Sequence, residues 1–131
     1  MRLCLAFCLG LAGAAANAEP PLTAEAFDAL TQGRSMTWSE FGLVYGVEQY
    51  LPGRRVRWTY LGDTCIEGRW YADGSAICFD YEDRPEPICW EMTVTPTGLG
   101  ATLVGVPGQT AEVVIEKTTE PMACFGPKVG V

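Results

Sequence analysis

Apolar and polar residues alternate one by one over most of the chain that follows Arg34. In segment 54–61, for example, Val56, Trp58 and Tyr60 are separated by polar residues. A period of two is typical of an antiparallel strand with one buried face. Turn-forming pairs such as Pro52-Gly53 and Asp73-Gly74 punctuate the pattern. It predicts eight strands, at 34–39, 42–50, 54–61, 65–71, 76–82, 88–95, 99–105 and 110–117.

Successive strands joined by short turns form a meander, and eight of them can close into a small barrel. We therefore expect a mainly β fold, an antiparallel barrel or sandwich of about eight strands. One short helix should precede it over Leu22–Gly33. Thr23 is a favourable N-cap, Glu25 lies in the first turn, and Gly33 can end the helix in the left-handed conformation.

The first eighteen residues have the pattern of an export signal. Arg2 is followed by the apolar run Leu3–Gly13 and by Ala16-Asn17-Ala18, a small-x-small cleavage pattern. We expect cleavage after Ala18, a single domain over 19–131, a periplasmic or secreted location and no remaining membrane anchor. A lipoprotein signal is disfavoured because the bulky Phe7 precedes Cys8.

Four cysteines follow the predicted signal: Cys65, Cys78, Cys89 and Cys124. An even number in an exported chain of this size predicts two disulfides. A zinc site is the alternative, but no pair has the close spacing that such sites use. A hairpin of 76–82 with 88–95 would place Cys78 opposite Cys89 on its outer face, with 82–85 as the loop. Cys65 would then pair with Cys124, although sequence alone does not fix the connectivity.

Composition excludes several functions. The formal net charge is −7, which disfavours binding to nucleic acid or to anionic lipid. The chain has no histidine, the commonest general base and metal ligand. Phosphate-binding glycine loops and nucleotide fingerprints are also absent. We expect no cofactor, no metal and no catalytic residues.

One basic patch is a candidate binding site. Arg54, Arg55 and Arg57 lie beside Trp58, and arginine pairs well with carboxylate or phosphate. The competing interpretation is that Arg55 and Arg57 form the solvent face of a strand and balance acids on its neighbour. The four tryptophans can line a cavity inside the barrel or simply fill it: Trp38, Trp58, Trp70 and Trp90.

An acidic cluster lies across the predicted hairpin tip, at Asp80, Glu82, Asp83 and Glu86. Paired carboxylates can act as acid and base, so this cluster is the candidate site of a hydrolase. A solvated turn explains the same residues more simply. The glycine and spacing of a calcium loop are missing.

A longer pattern resembles a known family. Gly68-Arg69-Trp70 is followed by Ala76-Ile77-Cys78-Phe79 and by Cys89-Trp90, after a helix and the start Gly33-Arg34-Ser35. This arrangement resembles the small exported alphaproteobacterial proteins of the group called domain of unknown function 995, over about 22–107. The resemblance implies an exported β-rich domain and no activity. Lipocalins carry their Gly-x-Trp on the first strand, whereas here it lies in mid-chain.

Together these observations favour a non-catalytic periplasmic binding or interaction module. Its partner would be an envelope protein, including a hydrolase that it inhibits, or a small molecule in the barrel mouth. The alternatives are a structural envelope component and a carboxylate-based hydrolase.

Overall fold

The computed structural model describes residues 18–60, 64–114, 122 and 124. They form one helix and eight strands: α1 (Ala24–Thr31), β1 (Ser35–Glu40), β2 (Leu43–Leu51), β3 (Arg55–Tyr60), β4 (Ile66–Asp73), β5 (Ala76–Tyr81), β6 (Ile88–Val94), β7 (Gly98–Leu103) and β8 (Thr110–Val114). All eight predicted strands are therefore confirmed. The predicted signal segment before Ala18 and the predicted end of β8 lie outside the described residues. No helix in the described part of the chain is long and apolar enough to cross a membrane.

The strands pair in chain order, and β8 returns to β1, which closes a barrel. Every pair is antiparallel, so the predicted meander is confirmed and the sandwich alternative is not needed. The β5–β6 hairpin has the predicted register, with Ile77 opposite Trp90 and Phe79 opposite Ile88. Its loop is longer than predicted. β5 ends at Tyr81 and β6 begins at Ile88, so residues 82–87 connect the strands instead of 82–85.

The core lies inside the barrel around Phe27 of α1 and is built from inward side chains of every strand. These include Met36, Val56, Trp70, Ile77, Phe79, Met92, Leu99 and Val113. The predicted alternation is confirmed in β3, where Val56 and Trp58 are buried, and in β4, where Trp70 is only 3% exposed. Three of the four tryptophans belong to this core, and Trp90 packs against it.

Helix α1 closes one end of the barrel. Thr23 caps it as predicted, since its Oγ1 accepts a hydrogen bond from the Ala26 N–H at 3.2 Å. Phe27 is fully buried, and its ring makes edge contacts with Tyr50 and Trp70 at centroid distances of 5.6 and 5.1 Å. Gly33 has a φ of +78° and donates its N–H to the backbone carbonyl oxygen of Tyr50. The opposite end of the barrel, which we call the open end, carries no helix among the described residues.

Both predicted disulfides are present. Cys78–Cys89 joins β5 to β6, and Cys65–Cys124 ties the segment before β4 to the C-terminal region. Cys78 alternates with inward residues and so lies on the outer face, as predicted. It is nevertheless buried, because Cys89 and Tyr71 flank it in the adjoining strands.

Candidate functional site

A cavity of about 480 Å³ occupies the open end, and we call it the mouth cavity. Its walls come from the strand ends opposite α1 and from the β5–β6 loop. Its lining includes Glu40, Tyr60, Ile66, Asp83, Arg84, Ile88, Leu103 and Gln109. Gln109 donates to the Glu40 carboxylate at 3.0 Å, which links the start of β8 to the end of β1 across the barrel closure.

A smaller space of about 40 Å³ lies deeper, and we call it the inner recess. Four aromatic residues line both spaces: Tyr45, Trp58, Tyr81 and Trp90. The floor and sides of the recess include Trp38, Glu48, Tyr50, Met92 and Ala101. The mouth cavity therefore leads down an aromatic neck to a group of buried polar atoms.

A β-bulge directs one of these aromatic side chains into the barrel. Trp38 pairs with Gly46 and Ser39 pairs with Val44, so Tyr45 is an extra residue in β2. A bulge changes the face to which a side chain points. Tyr45 therefore lines the interior together with Glu48 and Tyr50, although simple alternation would place it outside.

Glu48 is the central polar residue of the recess. It is 1% exposed, between Met36 and Trp58 on the neighbouring strands. Tyr81, which is on β5, donates its hydroxyl to Glu48 Oε2 at 2.9 Å. Burial raises the pKa of the Glu48 carboxyl well above its ordinary value, and the Tyr81 hydrogen bond opposes this rise. Such a carboxyl group resists ionisation until a positive or donating group approaches it.

Two buried polar atoms beside this bond have no hydrogen-bond partner among the described residues, Glu48 Oε1 and the Tyr50 hydroxyl. Burial also raises the pKa of the Tyr50 hydroxyl. The nearby Trp38 side chain opposes this rise, although it does not reach hydrogen-bond geometry. Unpaired buried polar groups are rare in folded proteins and call for an explanation. They indicate that the recess suits an additional polar group.

Two glycines leave room for the aromatic neck. A Cβ on Gly46 would collide with the Trp58 ring. A Cβ on Gly68 would lie 2.7 Å from Tyr81 Cδ1, because Gly68 is directly opposite Tyr81. Gly68 belongs to the Gly-x-Trp pattern noted in the sequence. Its absent side chain lets Tyr81 reach Glu48.

The structure separates the four residues of the predicted basic patch. Arg54 lies at the α1 end, with its guanidinium 4.6 Å from the centre of the Trp70 ring. Arg57 is paired with Glu67 on the outer face, at 2.6 Å. Arg55 is exposed opposite Arg69, and Trp58 points into the barrel. The competing interpretation, a charge-balanced solvent face, agrees with this arrangement for Arg57.

The acidic cluster is exposed, as expected for a solvated hairpin. Asp80 lies opposite Arg69 on the neighbouring strand, and Asp83 reaches the edge of the mouth cavity. The described residues contain no group of three or more acids, cysteines or histidines placed to hold a metal ion.

The turn between β1 and β2 adds an apolar edge at the open end. Phe41 is 82% exposed, and Leu43 and Val44 are also exposed. Val104 and Val106 are exposed in the nearby β7–β8 turn. A ligand longer than the mouth cavity would meet apolar surface on this side.

Sequence reasoning missed Glu48, Tyr50 and Tyr81 as site residues. In β2 the two alternating sets mix apolar and polar residues, so the pattern does not show which set is inside. One signal was present: Glu48 alternates with Gly46 and Tyr50 in a strand predicted to be buried on one face.

Comparison with known proteins gives no relative. No protein-family model matches the chain, no curated protein matches it, and no solved structure matches it.

Proposed function

We propose that this chain is a non-catalytic binding module whose mouth cavity takes a small, partly apolar ligand. The observation that supports it best is the open cavity of about 480 Å³ with an aromatic neck. Ligand sites are commonly concave spaces of about 300–1,000 Å³ with apolar walls and a few convergent polar groups. Trp58, Tyr60 and Trp90 provide the apolar wall, and Glu48 and Tyr50 provide polar groups below.

The non-catalytic assignment is supported by the chemistry of the recess. Hydrolysis by two carboxylates requires two acids that face the same bond. Among the described residues that line the inner recess, Glu48 is the one acid. Two acids line the mouth cavity, Glu40 and Asp83. Glu40 accepts a hydrogen bond from Gln109, and Asp83 lies on the exposed hairpin at the edge of the cavity.

The proposal includes export to the periplasm or medium. Two disulfides agree with an oxidising compartment. The predicted signal segment at Met1–Ala18 would direct this export.

The binding of a neutral fluorescent aromatic amine, N-phenyl-1-naphthylamine, tests this proposal. We expect saturable one-to-one binding with a gain in probe fluorescence. Leu103→Trp should weaken binding about tenfold, a loss equivalent to about 1.4 kcal/mol, because Leu103 lines the mouth cavity. Val94→Trp is the matched control, since Val94 is exposed at the last residue of β6, at the α1 end of the barrel and away from the mouth cavity.

Absence of saturable binding to the wild-type protein would overturn the proposed function. Equal weakening by the two tryptophan variants would show that the probe binds outside the cavity. Circular dichroism and melting temperatures should establish that both variants retain the fold.

A further inference from the structure

We propose that the inner recess binds a primary ammonium group, whose apolar or aromatic stem occupies the mouth cavity. This inference rests on the proposed binding function and specifies the chemical class of the ligand. It begins from the two buried atoms that have no hydrogen-bond partner within residues 18–60 and 64–114, Glu48 Oε1 and the Tyr50 hydroxyl.

Both atoms can accept hydrogen bonds, and a primary ammonium carries three donors. It can therefore supply both partners at once. A neutral alcohol carries one donor, and a quaternary ammonium carries none. Because a charge-assisted bond to a carboxylate is stronger than a neutral one, the carboxylate also favours the ammonium over an amide or alcohol.

The surrounding rings also favour a cation. Tyr45, Trp58, Tyr81 and Trp90 line the passage from mouth to recess. Cations are attracted to the faces of aromatic rings, particularly tryptophan. The described charged residues that line the mouth are Glu40, Asp83 and Arg84, so acids outnumber bases there. An anionic head group would instead face the Glu48 carboxyl.

The sizes of the two spaces fit the two parts of such a ligand. A space of about 40 Å³ holds a few water-sized groups, since one water needs about 10–15 Å³ by this measure. It is sufficient for an ammonium and its first methylene, and too small for an aromatic ring. The stem would therefore remain in the mouth cavity.

Three compounds with one stem provide the experiment: 2-phenylethylamine, 2-phenylethanol and the N,N,N-trimethyl derivative of the amine. Affinities are measured by calorimetry and by displacement of N-phenyl-1-naphthylamine at pH 7.5. We expect the amine to bind about 10- to 100-fold more tightly than the alcohol, the range for a hydrogen bond to a charged group. The trimethyl derivative should also bind more weakly than the amine, because it has no donor.

Glu48→Gln keeps the shape of the side chain and removes its charge. We expect this variant to lose the preference for the amine over the alcohol while it still binds the naphthylamine probe. Glu67→Gln is the matched control, because Glu67 is a carboxylate on the outer face, paired with Arg57. It should bind all three compounds as the wild type does.

Affinity for the amine should rise between pH 5 and pH 8, because the bound cation requires the ionised form of Glu48. The titratable groups that face Glu48 are Tyr45, Tyr50 and Tyr81. Glu40, Asp83 and Arg84 face the mouth above. Glu48→Gln leaves these six other groups unchanged. Any pH dependence of amine affinity that persists in the variant therefore comes from them.

Equal wild-type affinities for amine and alcohol would overturn the ammonium proposal and leave the proposed function intact if the probe still binds. A pH-dependent preference for the amine that survives in Glu48→Gln would also overturn it. The comparison of the compounds on the wild-type protein needs no variant, so the proposal is testable even if Glu48→Gln fails to fold.

Discussion

At the scale of single residues, the cost of burying Glu48 dominates the chemistry of the interior. Its carboxyl accepts one hydrogen bond, from Tyr81, and its other oxygen has no partner in the described part of the chain. Burying an ionised group without an opposite charge is far more costly than burying the neutral acid. The folded protein therefore holds a proton on Glu48 at pH values where the unfolded chain releases it.

This difference predicts how stability depends on pH. The pKa of Glu48 is raised above its ordinary value of 4.5, so its contribution to stability is fully present below that value. It is lost as pH rises toward the pKa of the folded state, at about 1.4 kcal/mol per pH unit. Glu48→Gln should remove this decline, which urea unfolding between pH 4 and pH 8 will measure. An unchanged pH slope in the variant would show that Glu48 ionises normally.

A second prediction at this scale contrasts two residues of neighbouring strands. Trp70→Ala should lower the free energy of unfolding by about 3–5 kcal/mol, because it removes a core ring that packs on Phe27. Arg57→Ala should cost less than about 1 kcal/mol, since its ion pair with Glu67 is more than one-third exposed. Thermal unfolding measures both. Similar losses would contradict the inward placement of Trp70.

At the scale of elements, α1 closes the barrel by inserting one ring. Phe27 makes edge contacts with Tyr50, Trp70 and Phe79, which belong to three different strands. The backbone strengthens this closure, because Leu22 donates its N–H to the Met92 carbonyl oxygen at 2.6 Å. The helix is only eight residues long, so its stability depends on this packing more than on its own hydrogen bonds.

We therefore expect unequal effects from two changes in or next to α1. Phe27→Ala should destabilise the protein by about 3–5 kcal/mol, because it empties the closed end of the barrel. Thr23→Ala should cost about 1 kcal/mol, the usual value for an N-cap hydroxyl. Urea unfolding measures both losses. A smaller loss for Phe27→Ala than for Thr23→Ala would show that the helix does not depend on its core contact.

The strands were predictable because strong local signals mark them. Alternation and turn residues defined all eight, and the β5–β6 register placed Cys78 opposite Cys89. The candidate site was not predictable by the same means. Tyr45 turns inward through a bulge, and Glu48 meets Tyr81 from a strand 33 residues away in sequence. The first depends on an irregular register between β1 and β2, and the second on the curvature that brings β2 and β5 together across the interior. Alternation within one strand encodes neither.

At the scale of the whole molecule, two covalent links of different reach hold the barrel. Cys78–Cys89 spans 11 residues of sequence, and Cys65–Cys124 spans 59. On the chain-entropy model a longer loop restricts the unfolded chain more. The expected stabilisation is about 4 kcal/mol for Cys65–Cys124 and about 3 kcal/mol for Cys78–Cys89.

Thiol titration tests this framework. The protein that starts at Glu19, unfolded without reductant, should give close to zero free thiols, because all four cysteines are bonded. The double variant Cys65→Ala/Cys124→Ala should have a lower free energy of unfolding than the double variant Cys78→Ala/Cys89→Ala. Two or more free thiols per molecule of the protein that starts at Glu19 would contradict the structure.

The pairing order has a consequence for the folding path. Seven of the eight strand pairs join neighbours in sequence and can form as local hairpins. The pairing of β1 with β8 is different, since it joins Trp38 to Val113 and Ser39 to Glu112. Long-range contacts form late because loop closure must precede them. The Gln109–Glu40 hydrogen bond spans this same seam. The mouth cavity should thus be the last part of the molecule to assemble, and amide hydrogen exchange should find β1 and β8 opening before the central hairpins.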